Sequence, residues 1–497
     1  MAIYDYLVPV ALSVSVALYV FWNQSRPNFP LPPGPSGHWL WGTEFPSCQI
    51  FKKYAEWTQQ YGPVCFVRHG RRSIVIIGTY QAALDIMEKE GASTADRPRT
   101  VAGGEMMSGG MRILLIGVGE RFRKLRKALH SHLQPKAAAA YEPLQLLNAR
   151  QLIRDILDDP QGHHEHAKRY AASLILSLTY GKPSPSARSD PEVHQLSQML
   201  VRLGQALRPG AHLVDDLPFL RRLPFYGFGL RQAHDEELEL FQRQMQSTRD
   251  AMEKGNAPSS FAKYLVETQA QLDLSDQEIA YLAGSMFGAG SETTASAISF
   301  VIMAAACFPE AQAKVQEELD AVVGDRLPTF DDWDYLPQVH AFFQEVFRWR
   351  PGTSSGIQHR ATKDIIYNGY VIPAGTTLIA NHWSIGRDPA IFPDGDCFKP
   401  DRWLNDQGFI REDIKFPNFG FGRRICPGMP LANRSLFINT AFVLQSFKIT
   451  PDPKRPIDTL AVREGVITFP LPFSVLFDVR NAGGPEALTA LLSEEEI

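Results

Sequence analysis

The sequence predicts a mainly α-helical protein with a minor β portion (α+β), built as one large domain behind an N-terminal membrane anchor. Helical patterns of apolar residues cover most of the chain, and strand patterns are few and short. An uncharged apolar run stands at the N-terminus. No Gly/Ser linker, repeat or low-complexity run follows it, so one domain is simpler than the roughly three that a length prior allows.

The apolar run Tyr6–Trp22 is the predicted anchor. Its length is near the lower limit of about 17 residues for a spanning helix, and Trp22 is typical of a membrane interface. Asp5 precedes the run and Arg26 follows it, which places the main body in the cytoplasm. A signal peptide would need a basic start and a small-residue cleavage site, and neither is found. A buried core helix remains the alternative.

A proline-rich hinge follows the anchor. Prolines at positions 27, 30, 32, 33 and 35 enforce a stiff, extended path, whereas a flexible linker would use Gly and Ser. We therefore expect an anchor over residues 1–24, a hinge over 25–40 and a globular domain over 41–497.

Two hairpins are predicted. Val64–Gly78 has two strand patterns around Gly70, and Asp364–Ile379 has Asn368-Gly369 between apolar runs, the strongest short hairpin signal.

Four helices are predicted. Gly119–Leu133 is basic with one apolar face, Tyr281–Phe308 is apolar nearly all round, Pro309–Val323 has helical spacing behind a proline, and Leu431–Phe447 is long and largely buried.

Composition excludes several classes. Hydrophobic residues make up 44% and charged residues 21%, as in globular proteins. The 5 cysteines are too few and scattered for a disulfide framework, and no CxxC pair indicates a zinc site, so a reducing compartment is favoured. A net charge of −4 argues against nucleic acid as a partner.

Polar residues interrupt the apolar helix Tyr281–Phe308. A buried Glu292 is costly unless it is paired or solvated. Gly290 and the hydroxyls of Thr293 and Thr294 predict a local distortion that admits water. The alternative is a threonine that bonds back to its own helix.

The segment FPNFGFGRRICPGMPLA surrounds Cys426 with glycines and arginines. We expect Gly420, Gly422 and Gly428 to adopt backbone conformations that other residues resist. Backbone N–H groups, positive charge and the dipole of the following helix all favour a thiolate. The loop therefore suits an iron ligand, while an inert buried cysteine or a nucleophile without a nearby His remain open.

The stretch FGFGRRICPG resembles the heme-binding loop of the cytochrome P-450 superfamily, the heme-thiolate monooxygenases. Phe419, Gly422, Arg424, Cys426 and Gly428 match its pattern Phe-x-x-Gly-x-Arg-x-Cys-x-Gly. The resemblance implies the cytochrome P-450 fold and heme b with its iron axially ligated by Cys426. It also implies that Arg424 faces a heme propionate and that Phe419 shields the sulfur.

Two further motifs resemble those of the family. AGSETT is similar to its oxygen-activation motif, which implies that Thr293 lies beside dioxygen and that Glu292 belongs to the proton supply. Glu345 and Arg348 resemble its Glu-x-x-Arg pair, and Arg402 the third member of a structural triad. Alone, that pair would be interpreted as a surface ion pair.

Two other basic residues match propionate partners in the family. Arg126 lies in a helix like the family's Trp-x-x-x-Arg helix, although Phe122 stands where Trp is usual and removes one indole donor. His359 matches a third propionate partner. A solvated basic residue is the alternative for each.

The resemblance extends from the proline segment to about Phe473 and is closest to membrane-bound eukaryotic members, especially fungal ones that decorate secondary metabolites. It implies a catalytic domain on the cytoplasmic side of the endoplasmic reticulum membrane, behind a single-pass anchor. No nucleotide-binding fingerprint is found, so electrons are expected from outside the chain. The resemblance implies that they come from NADPH through a separate cytochrome P-450 reductase. The basic face with Arg121, Arg123, Lys124 and Lys127 is a docking candidate, or simply a solvated face.

The implied reaction inserts one oxygen atom into a lipophilic small molecule such as a terpenoid or polyketide. Four largely apolar segments are expected to line the pocket: Val101–Ile113, Leu207–Leu220, Pro351–Ile357 and Glu464–Phe473. One alternative is a heme-thiolate isomerase or dehydratase without a reductase, against which Glu292 and Thr293 argue. The other is a heme-binding sensor or carrier without turnover.

Overall fold

A computed structural model describes residues 29–183 and 191–494. The anchor predicted over 1–24 and the first residues of the hinge lie outside this part of the chain. Residues 29–37 have no regular secondary structure. The Pro33 carbonyl accepts a hydrogen bond from the Phe66 N–H at 2.9 Å, and the Pro30 carbonyl accepts one from the Val371 N–H at 2.9 Å. This portion of the hinge therefore lies against the folded body.

Helices dominate, as predicted. The α-helices span Ile50–Tyr61, Tyr80–Ala83, Gly91–Thr94, Glu120–Leu133, Pro135–Ala139, Glu142–Asp158, His163–Tyr180, Pro191–Ala206, Phe228–Glu253, Phe261–Leu272, Asp276–Cys307, Pro309–Val322, Pro337–Trp349, His382–Ile385, Met429–Ser446 and Gly484–Glu494. Single π-helical turns span Leu84–Lys89 and Val101–Met106, and 3-10 segments span Pro160–Gly162, Leu213–Asp215, Pro218–Arg222, Phe330–Tyr335, Pro400–Trp403 and Gly422–Arg424.

The strands are short and form small sheets. They are β1 Val64–His69, β2 Arg72–Ile77, β3 His359–Arg360, β4 Ile365–Tyr367, β5 Tyr370–Ile372, β6 Thr377–Ala380, β7 Phe447–Pro451, β8 Val462–Arg463, β9 Phe469–Pro470 and β10 Val475–Val479. The largest sheet has the order β1-β2-β6-β3, in which β2 and β6 run parallel. The pairs β4–β5, β7–β10 and β8–β9 are antiparallel.

Both predicted hairpins are confirmed. Strands β1 and β2 pair from Val64 with Ile77 to His69 with Arg72. Strands β4 and β5 turn through Asn368 and Gly369, whose φ angles of 47° and 79° are those that an Asn-Gly turn requires.

The helix Asp276–Cys307, here called the central helix, runs through the core. A capping box of Ser275 and Glu278 fixes its start. Gly290 allows close packing, because a Cβ there would lie 2.6 Å from a side-chain carbon of Ile175 on the helix His163–Tyr180. In the part of the chain that the structure describes, the central helix alone is long and apolar enough to cross a membrane, but it is mostly buried within the fold.

The distortion predicted in the central helix is wrong. The helix is continuous from Asp276 to Cys307. The Thr293 hydroxyl donates to the Ala289 carbonyl at 2.7 Å, so the alternative of a threonine bonding back to its own helix is correct. The hydroxyl is satisfied without opening the backbone ladder.

Glu345 and Arg348 form a fully buried ion pair at 2.7 Å, so the alternative of a surface pair is wrong. Glu345 also accepts from Arg402 Nε at 3.1 Å and from the Trp403 indole N–H at 2.9 Å. Arg348 donates to the carbonyls of Gly386, Gly395 and Cys397. This network ties the helix Pro337–Trp349 to the long connection that precedes the Cys426 loop.

Candidate active site

A cavity of about 370 Å³ lies between the central helix, the basic helix Glu120–Leu133 and the Cys426 loop. Its wall is mostly apolar, with Ile175, Leu200 and Phe300 among the lining side chains. Of the chain's five cysteines, Cys426 is the one that lines it.

The backbone of the loop folds back on itself before Cys426. The Cys426 N–H donates to the Phe419 carbonyl at 2.8 Å. Gly420 and Gly422 have φ angles of 82° and 48°, which favour glycine as predicted. The same prediction is wrong for Gly428, whose φ of −85° suits any residue. A Cβ at that position would lie 3.8 Å from the Cys426 sulfur.

The Cys426 sulfur lies just before the helix Met429–Ser446. Burial raises the pKa of the thiol, and this outweighs the lowering by the Gly428 and Met429 N–H groups and by Arg126. The surrounding protein groups therefore stabilise the thiolate only in part. A metal cation bonded to the sulfur would stabilise the deprotonated form further.

The structure brings Arg424, Arg126 and His359 together on the wall of this cavity. Arg424 donates to the carbonyls of Ala95 and Ile116, and its guanidinium carbon lies 3.6 Å from the centroid of the Phe122 ring. The residue that replaces the usual Trp thus packs against one of the predicted propionate partners.

Arg126 and His359 are held by backbone carbonyls. Arg126 donates to the Ile425 carbonyl, which places the basic helix against the Cys426 loop. His359 Nδ1 lies 2.8 Å from the Thr94 carbonyl, so that nitrogen carries a proton.

Arg97 also lines the cavity, and the sequence reasoning missed it. Its guanidinium donates to the carbonyls of Leu114 and Gln358. Nothing in the stretch ADRPRT distinguishes Arg97 from a surface arginine, because its burial depends on segments distant in sequence.

Arg97, Arg126, Arg424 and His359 form the cation cluster of this cavity, which has more positive than negative groups. Burial, followed by the charge of Arg424, lowers the pKa of Arg97 to about 9. Burial also lowers the pKa of Arg424 to about 10, and burial together with Arg97 lowers that of His359 to about 3. The neighbouring Asp96 already accepts from Arg360 and from the Val118 N–H. An anionic ligand would relieve this excess.

Thr293 lines the same cavity as Cys426. The Glu292 carboxylate is not part of the cavity wall; it is buried, lies 2.5 Å from the Ser197 hydroxyl and forms a 3.5 Å ion pair with Arg463. The requirement that a buried Glu292 be paired is thus met by two residues that the sequence did not indicate.

Three of the four predicted pocket segments contribute to this cavity, through Ile113, Thr353 and Val466 among others. The fourth, Leu207–Leu220, lines a second cavity of about 440 Å³ through its first residues. The two cavities share lining residues, including Arg97, and are therefore neighbours.

A helical fold that encloses an apolar cavity, with a half-buried cysteine on its wall and cations beside it, is the arrangement expected of a heme-thiolate oxidoreductase. A family model described as cytochrome P-450 matches residues 32–477. The chain belongs to this family. It is 53% identical to cytochrome P-450 monooxygenase 64 of Postia placenta, over 90% of this chain and 91% of that protein.

More distant relatives carry the same class of name. The chain is 36% identical to cytochrome P-450 monooxygenase ARMGADRAFT_1018418 of Armillaria gallica, over 94% of this chain and 93% of the relative. It is 32% identical to cytochrome P-450 monooxygenase claR of Ampulloclitocybe clavipes, over 97% and 92%. The protein is therefore an enzyme, a monooxygenase of this family.

The family binds heme iron through a cysteine thiolate, and the residues here fit that group. The cavity has a single cysteine, apolar walls for the macrocycle and an unbalanced set of cations for its two carboxylates.

Proposed function

We propose that this enzyme oxidises a lipophilic small molecule in fungal secondary metabolism, by hydroxylation or a related oxidation. The observation that carries the proposal is one apolar cavity that joins Cys426, Thr293 and the cation cluster. The fungal sources of the relatives support the biological setting.

Cys426 is proposed as the residue that would bind the heme iron, in a loop that contains Phe419, Gly422 and Gly428. Arg424, Arg126 and His359, with the addition of Arg97, would hold the heme carboxylates. Heme bound here would supply the redox and oxygen chemistry, and the Cys426 thiolate would donate electron density to its iron.

Thr293 and Glu292 are proposed to transfer protons from solvent to the cavity. The Thr293 hydroxyl can turn from the Ala289 carbonyl toward the cavity and donate a hydrogen bond there. The Glu292 partner Arg463 has a side chain that is 40% exposed, so Glu292 can exchange protons with solvent. Transfer between the two residues needs an intervening water or a rotation of Glu292, since the carboxylate points away from the cavity.

Electrons are proposed to come from NADPH through a separate cytochrome P-450 reductase. The basic helix is a suitable docking face because it touches the Cys426 loop through Arg126. Two of its predicted docking charges are already paired, Arg121 with Glu278 and Lys124 with Asp273. Exposed Arg123 and Lys127 remain for a partner.

Membrane lipid is the other proposed partner, with the endoplasmic reticulum membrane as the site and residues 1–24 as a single-pass anchor. Exposed aromatic side chains on the described body support this setting, among them Trp39, Trp41, Phe219 and Phe225. The Gly70 turn joins these regions: its N–H bonds the Trp41 carbonyl, and a Cβ at Gly70 would lie 3.2 Å from Asp216.

Consumption of NADPH by the purified protein with a reductase tests the function. We expect consumption to rise with a lipophilic substrate and to be matched by an oxygenated product. Product formation without NADPH would instead indicate an isomerase or dehydratase. Heme binding without any turnover, across a broad substrate panel, would indicate a sensor or carrier.

A further inference from the structure

Arg112 is a buried cation on the wall of the cavity, and the proposed heme and proton machinery does not use it. Its exposed fraction is 5%. Arg112 Nη2 donates to Glu237 Oε1, and Nε donates to the Ser108 hydroxyl at 3.3 Å. Neither bond uses Nη1, so this donor group is left for a ligand in the cavity.

Glu237 orients the Arg112 guanidinium and neutralises its charge. It lies on the helix Phe228–Glu253 and is 1% exposed. Tyr281 of the central helix lies nearby and hydrogen bonds to His234 Nδ1 at 2.8 Å. Arg112 is therefore held by a carboxylate that neutralises its charge and does not itself line the cavity.

The surroundings make this pair unusual. Ile113, Leu200, Leu203 and Met286 line the same cavity, and a buried ion pair generally contributes less stability than apolar side chains of similar size. A polar pair retained in such a wall is explained by recognition of a polar ligand group.

We propose that Arg112 is a specificity-determining residue, which donates a hydrogen bond from Nη1 to an oxygen atom of the substrate. The substrate class is then a lipophilic molecule that already has a carbonyl or hydroxyl oxygen. Because Glu237 neutralises the guanidinium, a neutral acceptor is favoured over a carboxylate. This inference rests on the proposed monooxygenase function and deepens it.

The central helix sets the distance between this oxygen and the site of reaction. Ser285 lines the cavity one turn after Tyr281, and Thr293 follows Ser285 by about two turns, roughly 12 Å along the helix axis. The acceptor oxygen is thus remote from the carbon that is oxidised. The oxygen must be present before this reaction, either from the condensation that builds the carbon skeleton or from an earlier oxygenation.

Binding of a matched pair of probes tests the proposal. Cyclododecanone and cyclododecane are titrated into the full-length holoprotein and followed by the shift of the Soret band. We expect the ketone to bind about tenfold more tightly than the hydrocarbon, the effect of one hydrogen bond to a charged donor. In the double variant Arg112→Met/Glu237→Leu, which removes both charges together, the ratio falls to about one.

A second variant and a control keep the result interpretable. Arg112→Lys preserves the pairing with Glu237 but has one terminal nitrogen where the guanidinium has two. It therefore also reduces the preference for the ketone over the hydrocarbon. Ser285→Ala keeps the preference, because its hydroxyl already donates to the Tyr281 carbonyl at 2.6 Å. An unchanged tenfold preference in both Arg112 variants overturns the proposal.

Heme content separates the two levels of inference. If both Arg112 variants lose the carbon monoxide band of the reduced protein while Ser285→Ala keeps it, Arg112 serves the cofactor and the substrate role is overturned. The proposed monooxygenase function is judged independently, by NADPH-dependent product formation in the wild type.

Discussion

Thr293 lines an apolar cavity, and its hydroxyl donates a hydrogen bond to the Ala289 carbonyl of the same helix. Removing the hydroxyl should leave the helix intact, because the helix is continuous through this position. Function is more sensitive than structure at this position, since no other group at Thr293 can donate a hydrogen bond into the cavity.

We expect Thr293→Ala to release hydrogen peroxide at the expense of product. Product per NADPH should fall strongly, because a positioned proton-transfer group contributes roughly 10²–10⁴-fold to the step that it serves. The measurement is simultaneous assay of NADPH, peroxide and product with a reductase. Thr293→Ser, which retains a hydroxyl, should stay near wild-type coupling. Unchanged coupling in Thr293→Ala would remove this residue from the proton path.

Single residues also show what sequence can and cannot reveal. The motif around Cys426 singled out Arg424, which lies on the same cavity wall as the cysteine, because the spacing between the two residues is local. Arg97, Ser197 and Arg463 were missed, since each meets its partner only after distant segments pack together. Gly428 was misjudged, because composition indicates that a loop is tight but not which glycine has positive φ.

At the scale of elements, the Glu345 carboxylate is the junction between a helix and a long connection. It accepts hydrogen bonds from two arginines, the Trp403 indole and the Lys399 N–H, and it is fully buried. Sequence spacing could place Glu345 and Arg348 on one helix face, but not decide whether that face is buried.

Glu345→Gln should therefore destabilise the protein by about 3–5 kcal/mol, because it leaves buried Arg348 without a counter-charge. Unfolding in urea, monitored by intrinsic fluorescence, gives the change. Asp401→Asn is a matched control in the same region, since Asp401 is 61% exposed and, among the residues that the structure describes, forms its ion pair with Lys314 alone. Its effect should stay below about 1 kcal/mol. Equal effects of the two substitutions would refute the buried network.

Continuity of the central helix is another property set by packing. Glycine and adjacent threonines predicted a distortion, but Gly290 makes room for Ile175 and the Thr293 hydroxyl finds a carbonyl in its own helix. Local propensity was overruled by close contact with the neighbouring helix.

At the scale of the whole molecule, a histidine pair joins the N-terminal end of one helix to the last part of the chain. His163 Nε2 donates to the Phe473 carbonyl at 3.1 Å, and the Phe473 N–H donates to His164 Nε2 at 3.3 Å. Both rings are buried. The segment they hold, Glu464–Phe473, contributes to the cavity wall.

This pair should make stability depend on pH. Burial lowers the pKa of His163 to about 4 and that of His164 to about 3, below the value of about 6.5 in an unfolded chain. The unfolded state then binds more protons, so stability is complete above about pH 6.5 and is lost progressively as pH falls toward about 4. Between about pH 7 and pH 5 we expect a loss of up to about 2 kcal/mol per histidine.

The double variant His163→Gln/His164→Gln tests this origin, because glutamine can donate and accept but does not titrate in this range. Urea midpoints are measured for both proteins near neutrality and near pH 5. The variant should lose clearly less stability than the wild type on acidification. An equal loss in both proteins would assign the acid sensitivity to other groups.

Most of the architecture was accessible from sequence. The α+β class, both hairpins and the burial of the main helices follow from periodicity and turn residues. The sequence did not reveal where the hinge meets the domain. Residues 29–37 have the composition of a spacer, but they form hydrogen bonds with β1 and β5. Long-range hydrogen bonds of this kind leave no local pattern.

The central claim is that the Cys426 sulfur binds the heme iron, and the carbon monoxide difference spectrum of the reduced protein tests it most directly. We predict the red-shifted Soret band of a thiolate-bound heme in the wild type and its loss in Cys426→Ala. Cys65→Ala, which removes a buried cysteine outside the cavity, should keep the band. A wild type without any Soret absorption, or an unaltered band in Cys426→Ala, would contradict the account.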